Sequence, residues 1–303
     1  MLKTLFLTAI AAFVSTSTYA VESSTTPTKT SSSVSFAIIK TAKLPVAEGL
    51  VFSGGSLLKK VDSNFSAFLV RHGDSTFLFD AGLGNKVAEQ YQQDMPLWQR
   101  LFFKYDDPVS SARSQLNRAG IAPVKTIILS HSHWDHASGI SDFPDATVLA
   151  PEAEMAIIRH PTTGVGGSWP SQVAAKTIKW KTLEFKPVAY ENFDRSVDLF
   201  GDGSIVLVPL FGHTVGSVGM FVTVDSGKRY FFVGDAVWNA QALKKGSPKF
   251  WAARLLVDDD GAHTQQSIEQ IRTLMAKRPE IVVVPAHDGT VQQALGYFPA
   301  WVK

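Results

Sequence analysis

The 303-residue chain carries 29 Lys and Arg against 27 Asp and Glu, a formal net charge of +2, with 45% hydrophobic and 18% charged residues. That composition belongs to a folding chain rather than a disordered one, and the length suits one large layered core. The near-neutral balance excludes a nucleic-acid partner held by bulk charge, and the lack of cysteine excludes disulfides and thiolate metal ligands.

Lys3, the apolar run Leu5 to Val14 and the small-residue end Thr18-Tyr19-Ala20 predict a secretory signal peptide over residues 1–20, and with it a periplasmic or secreted protein. The apolar run is too short to cross about 30 Å of hydrocarbon, so no membrane span is expected. Its removal takes away Lys3, leaving 28 basic against 27 acidic residues. Residues 21–33 (VESSTTPTKTSSS) are expected to form a flexible Ser/Thr-rich lead-in. Residues 34–303 are expected to form one domain.

Ala67 to Arg71 and Ser75 to Phe79 read as two strands, with His72-Gly73-Asp74 as the turn of a hairpin. Asp107 as cap and Pro108 at the first helical position predict a helix whose apolar face is Val109, Ala112, Leu116 and Ala119, ended by Gly120. Val124 to Leu129 is a buried strand running straight into a histidine cluster. Further along, Ile205 to Leu210 is a strand ending at Gly212-His213. Met220 to Val224 and Arg229 to Val233 form a strand pair about Asp225-Ser226-Gly227. Ile268, Ile271 and Met275 mark a helix face, and Ile281 to Val284 is a last strand before Pro285-Ala286-His287. Strands alternate with helices and hairpins, which predicts mixed sheets with helices outside. The polar clusters follow strands, and strand ends hold ligands rigidly.

Five of the eight histidines lie in such places: His131, His133 and His136 in one loop, then His213 and His287. Imidazole and carboxylate are the ligands a zinc site uses when thiolates are absent. His131 and His133, two apart, can face one metal while Asp135 and His136 turn to a second. A lone histidine after a strand is more often structural. Three with an aspartate in six residues, left without metal, would crowd polar groups at an apolar strand end.

His131-x-His133-x-Asp135-His136 resembles the HxHxDH signature of the metallo-β-lactamase superfamily. In the same order, Phe79-Asp80-Ala81-Gly82, Gly212-His213-Thr214-Val215-Gly216-Ser217, Gly234-Asp235 and Ala286-His287-Asp288 resemble its other motifs, over roughly Phe65 to Asp288. The resemblance implies an α/β fold of the four-layer αββα kind, two mixed β-sheets with helices outside. It implies two Zn2+ ions, or other divalent metals. The first would take His131, His133 and His213, the second Asp135, His136 and His287, with Asp235 bridging and Asp80 bracing a ligand. The activity implied is hydrolysis by a hydroxide held between the metals, with Asp135 as the catalytic group that orients it and shuttles a proton. Ser132 receives no role.

Asp235 and the Ala286-His287-Asp288 ending resemble those of the acyl-homoserine lactonases and their esterase relatives, which implies a small-molecule substrate, an ester or lactone such as an N-acyl-homoserine lactone. The alternatives are a β-lactam, an organophosphate or aryl ester, and a zinc-binding module without catalysis. Where lactonases of this type often have a tyrosine, this chain has Trp238, for which substrate contact and core packing are both open. Leu97 to Phe103 could cover the site and receive an acyl chain, or pack on the core as an amphipathic helix. The oligomeric state is not legible.

Overall fold

The short apolar runs of the sequence are strands of two sheets. The computed structural model describes residues 33–303; the expected signal peptide and residues 21–32 of the lead-in lie outside the described residues. Strands β1 (Val34–Ala47), β2 (Lys60–His72), β3 (Ser75–Phe79), β4 (Thr126–Ile128), β5 (Thr147–Pro151) and β6 (Lys179–Leu183) form the first sheet in that order. Its first two junctions are antiparallel and the next three parallel. Strands β7 (Val197–Asp198), β8 (Ile205–Pro209), β9 (Val218–Thr223), β10 (Arg229–Phe232) and β11 (Val282–Val284) form the second, in the order β11-β10-β9-β8-β7. Only β10 and β11 run parallel there.

Successive side chains of a strand point to opposite faces, and here both faces are apolar. Phe68, Val70, Phe77 and Phe79 pack with Ile205, Leu207, Met220, Val222 and Phe232 in the core between the sheets. Ala67, Leu69 and Leu78 face the other way, onto Ala112 and Leu116 of helix Ala112–Arg118 and onto Met155 and Ile158 of helix Glu152–Arg159. Val206, Val208 and Phe231 face Ile268, Ile271 and Leu274 of helix Gly261–Lys277. The result is the expected αββα sandwich of two mixed sheets.

The helix expected to start at Pro108, capped by Asp107, begins four residues later, at Ala112. Asp106 N–H and Ser110 N–H donate to the carbonyls of Lys43 and Thr41, so this stretch runs alongside β1 instead of coiling. Ser111 then caps the helix, its Oγ accepting from Ser114 N–H at 3.2 Å.

Candidate metal centre

Five strands from the two sheets deliver the predicted site residues to one place. Asp80 follows β3, the 131–136 loop follows β4, and His213, Asp235 and His287 follow β8, β10 and β11. Asp80 has φ +60°, the left-handed region that aspartate tolerates better than most side chains. That turn puts its carboxylate beneath the loop. One oxygen accepts Ser130 N–H at 2.7 Å; the other accepts Ser130 Oγ–H at 2.8 Å and the Nδ1–H of His136 at 2.8 Å. Gly212 has φ +124°, and a Cβ there would lie 2.0 Å from Thr264 N, so only glycine lets the His213 loop rest on the start of helix Gly261–Lys277. Asp260 N–H and Asp259 N–H bind the carbonyls of Gly212 and His213 at 2.9 and 3.0 Å.

The ligand atoms form three overlapping groups, each gathered within 4.8 Å: His131, His133 and His213; His131, His136 and Asp235; Asp135, His136 and His287. Asp235 thus stands between the two metal sets expected from the sequence. All seven side chains are buried.

The hydrogen bonds test whether divalent metals fit. His213 Nδ1–H donates to Asp258 at 2.8 Å, His136 Nδ1–H to Asp80, and His287 Nδ1–H to the Asn64 carbonyl at 2.6 Å. In a neutral ring each Nε2 then presents a lone pair. Those lone pairs face other acceptors: His287 Nε2 lies 3.2 Å from Asp135 and 3.1 Å from Asp235, and His136 Nε2 lies 3.3 Å from Asp235 Oδ1. His136 Nε2 and Asp235 Oδ1 are buried and make no hydrogen bond. Converging lone pairs and carboxylates are repulsive unless cations lie among them, so the donor set fits divalent metals.

The titration behaviour follows. Burial pulls His287 down, but Asp235 and Asp135 raise it to about 10. His136 is likewise drawn down by burial and raised well above its ordinary range by Asp80, Asp135 and Asp235. Without metal these two rings take protons as substitute cations. Burial, joined by His213, holds His133 at about 3, and burial with Lys249 lowers His213; that half is already in the ligand form.

A cavity of about 540 Å³ opens onto His133, Asp135, His213, Asp235 and His287. Trp98, Leu101, Phe102 and Phe103 line it, so the Leu97 to Phe103 segment does border the site, with Leu101 and Phe102 67% and 70% exposed. Trp238 lines it too, but its indole N–H is spent on Asp235 Oδ2 at 2.7 Å. The tryptophan therefore holds the central carboxylate, and its ring borders the cavity. Trp238→Phe is expected to weaken metal retention about tenfold, read by chelator competition.

The family model of the metallo-beta-lactamase superfamily matches residues 64–287. The chain belongs to that superfamily. Among curated members, an N-acyl homoserine lactonase AttM of Azorhizobium caulinodans is 28% identical over 243 residues, 76% of this chain and 86% of its own. The AttM of Agrobacterium fabrum is 25% identical over 73% of this chain and 80% of its own. Among solved structures, a Bacillus thuringiensis AiiA mutant with N-decanoyl-L-homoserine bound at its active site superposes with TM-score 0.67 at 16% identity, covering 89% of this chain and 100% of that one. AidC, described as a dizinc quorum-quenching lactonase, superposes with TM-score 0.56 at 15% identity, covering 85% and 88%.

Two braces of the metal centre escaped the sequence reading. Asp258 orients His213 and is itself held by Lys249 Nζ at 2.7 Å, with both side chains buried. Glu154, wholly buried, accepts from Ser132 and Thr214. Ser132, given no role from sequence, is thus a structural donor. Trp134 stacks on Trp169 at 5.3 Å beside the cavity.

Proposed function

We propose that the chain is a dinuclear zinc hydrolase opening small lactones of the N-acyl-homoserine lactone class. The observation that carries this reading is the cavity: almost entirely apolar at its walls and ending on the His/Asp cluster. Such a shape suits a compact polar head with an apolar tail. The lactonase relatives and the N-decanoyl-L-homoserine bound at the active site of the AiiA mutant support it. Zinc is the metal proposed: the imidazole and carboxylate donors suit it, and AidC is a dizinc protein by its description. When bound, the pair of cations supplies an acidified water as nucleophile and a Lewis acid for the carbonyl oxygen. Asp135, 3.2 Å from His287 and lining the cavity, takes the water's proton and returns it to the leaving alkoxide oxygen. Leu44, Leu50, Trp98, Phe102 and Leu256 receive the acyl chain and exclude water.

The zinc-loaded protein is to be assayed on N-decanoyl-homoserine lactone, a carbapenem and a phosphotriester. Lactone opening as the fastest reaction supports the proposal, and fast carbapenem turnover without lactone opening sinks it. Phe102→Ala should raise KM several-fold for the decanoyl substrate, by the roughly 1 kcal/mol of lost apolar contact, and leave the butanoyl one nearly unchanged. The aromatic lining of Phe65, Trp98, Phe103 and Phe250 favours one second reading, an aryl ester or phosphotriester.

Export belongs to the same proposal, on the strength of the leader-like residues 1–20. Mass spectrometry of the protein from its native host should find a mature terminus at Val21; an uncleaved Met1 or Leu2 terminus would defeat it.

A further inference from the structure

We propose that Glu154 is a positioning residue for the three-histidine half of the metal centre, clamping the two loops that carry His131, His133 and His213 to one carboxylate. The inference rests on the metal-centre reading but not on the choice of substrate.

Glu154 lies in helix Glu152–Arg159 and is 0% exposed. Among the described residues no Lys, Arg or His pairs with it. A buried carboxyl without a counter-ion is costly unless hydrogen bonds satisfy it, so its position calls for a reason. The three donors it meets supply one. Oε1 accepts the N–H of Ser132 at 2.6 Å and its Oγ–H at 2.5 Å; Ser132 is the residue between His131 and His133. Oε2 accepts Oγ1–H of Thr214 at 2.6 Å; Thr214 follows His213 directly. One rigid group therefore spans two loops that are some 80 residues apart in the chain.

Two further observations agree. Gly216 is pressed onto this helix so closely that a Cβ would lie 2.4 Å from Glu154 N, which fixes the His213 loop against the same residue. Four of the five ligand histidines have a partner for Nδ1: Ser130 for His131, Asp80 for His136, Asp258 for His213 and the Asn64 carbonyl for His287. Among the described residues His133 has none. Its ring is aimed through its backbone, and the residue before it, Ser132, is held by Glu154 at both N–H and Oγ–H. Partners that orient ligands from outside typically account for a 10–100-fold difference in metal affinity.

The test uses Glu154→Gln, which keeps volume but cannot accept at both ends, and Thr214→Val, which deletes the Thr214 arm alone. Zinc is titrated into the metal-free full-length protein against a chromophoric chelator, with cobalt substitution as the spectroscopic readout. Glu154→Gln should weaken one of the two equivalents by about 10–100-fold and alter the d–d bands of that equivalent, while the other stays put. Thr214→Val should fall between Glu154→Gln and the parent. If both equivalents bind with parental affinity and unchanged cobalt bands, or weaken equally alongside a lowered metal-free Tm, Glu154 is only a folding element and the proposal is overturned. Because no substrate enters the measurement, its failure is distinct from a failure of the lactonase reading.

Discussion

Lys249→Met is expected to destabilise the protein by about 3–5 kcal/mol. Lys249 is 1% exposed, and its ammonium lies 2.7 Å from Asp258 Oδ1. The substitution keeps the apolar stem and removes the charge, leaving a buried carboxylate with His213 as its remaining partner. Removing one member of a buried pair costs far more than the pair contributes, because the other is stranded. Lys249→Met/Asp258→Leu should therefore recover much of the loss in urea unfolding, while binding metal worse, since His213 loses its orienting acceptor. A double variant no more stable than the single one would count against this account. The acid limb carries a second signature. Burial pushes Asp258 up, but Lys249 and His213 outweigh it and hold the carboxyl at about 2, below its ordinary 3.8. A depressed carboxyl adds stability that is complete above its unfolded value and lost as the pH falls through the folded one. That contribution thus fades between about pH 4 and pH 2, and Lys249→Met should move the acid midpoint of the metal-free protein upward.

Stripping the metals should abolish hydrolysis, and adding two equivalents of zinc back at pH 7 should restore it with release of about two protons per chain. The protons come from His136 and His287, both raised by the carboxylates around them. A raised histidine stabilises the metal-free fold below its unfolded value of 6.5, and this is lost as pH rises through the folded one, about 10 for His287. Zinc competes with those protons, so its apparent affinity should climb with pH across that interval. Calorimetric titration in buffers of differing ionisation enthalpy reads the proton count; a value near zero would mean that the two rings are neutral before metal arrives.

How much of this was legible in the sequence depends on where the information sits. The ligands were legible because His131 to His136 concentrate four donors in six residues and the remaining ones each follow an apolar run. The hairpin of β2 and β3 was legible from two short apolar runs about the His72-Gly73-Asp74 turn. The braces were not. Glu154 reads as an ordinary acid in the first turn of a helix, and Asp258 as one of three consecutive aspartates before helix Gly261–Lys277, where Asp260 is the cap. Their partners are distant in sequence, so no local pattern marks them. Asp107-Pro108 carried a good helix-start signal, yet long-range bonds to Lys43 and Thr41 claimed the backbone first. Local preference lost to tertiary pairing.

The delivery of donors from both sheets has a kinetic consequence. His131, His133 and His136 hang from β4 of one sheet, whereas His213, Asp235 and His287 hang from β8, β10 and β11 of the other. The donors can meet only once the two sheets have docked, a late and non-local event. Bound metal should then leave the refolding rate almost untouched and act on the reverse arm of the chevron. The holoprotein would owe its persistence to slow opening of the sandwich, with the ions as a rivet through both layers.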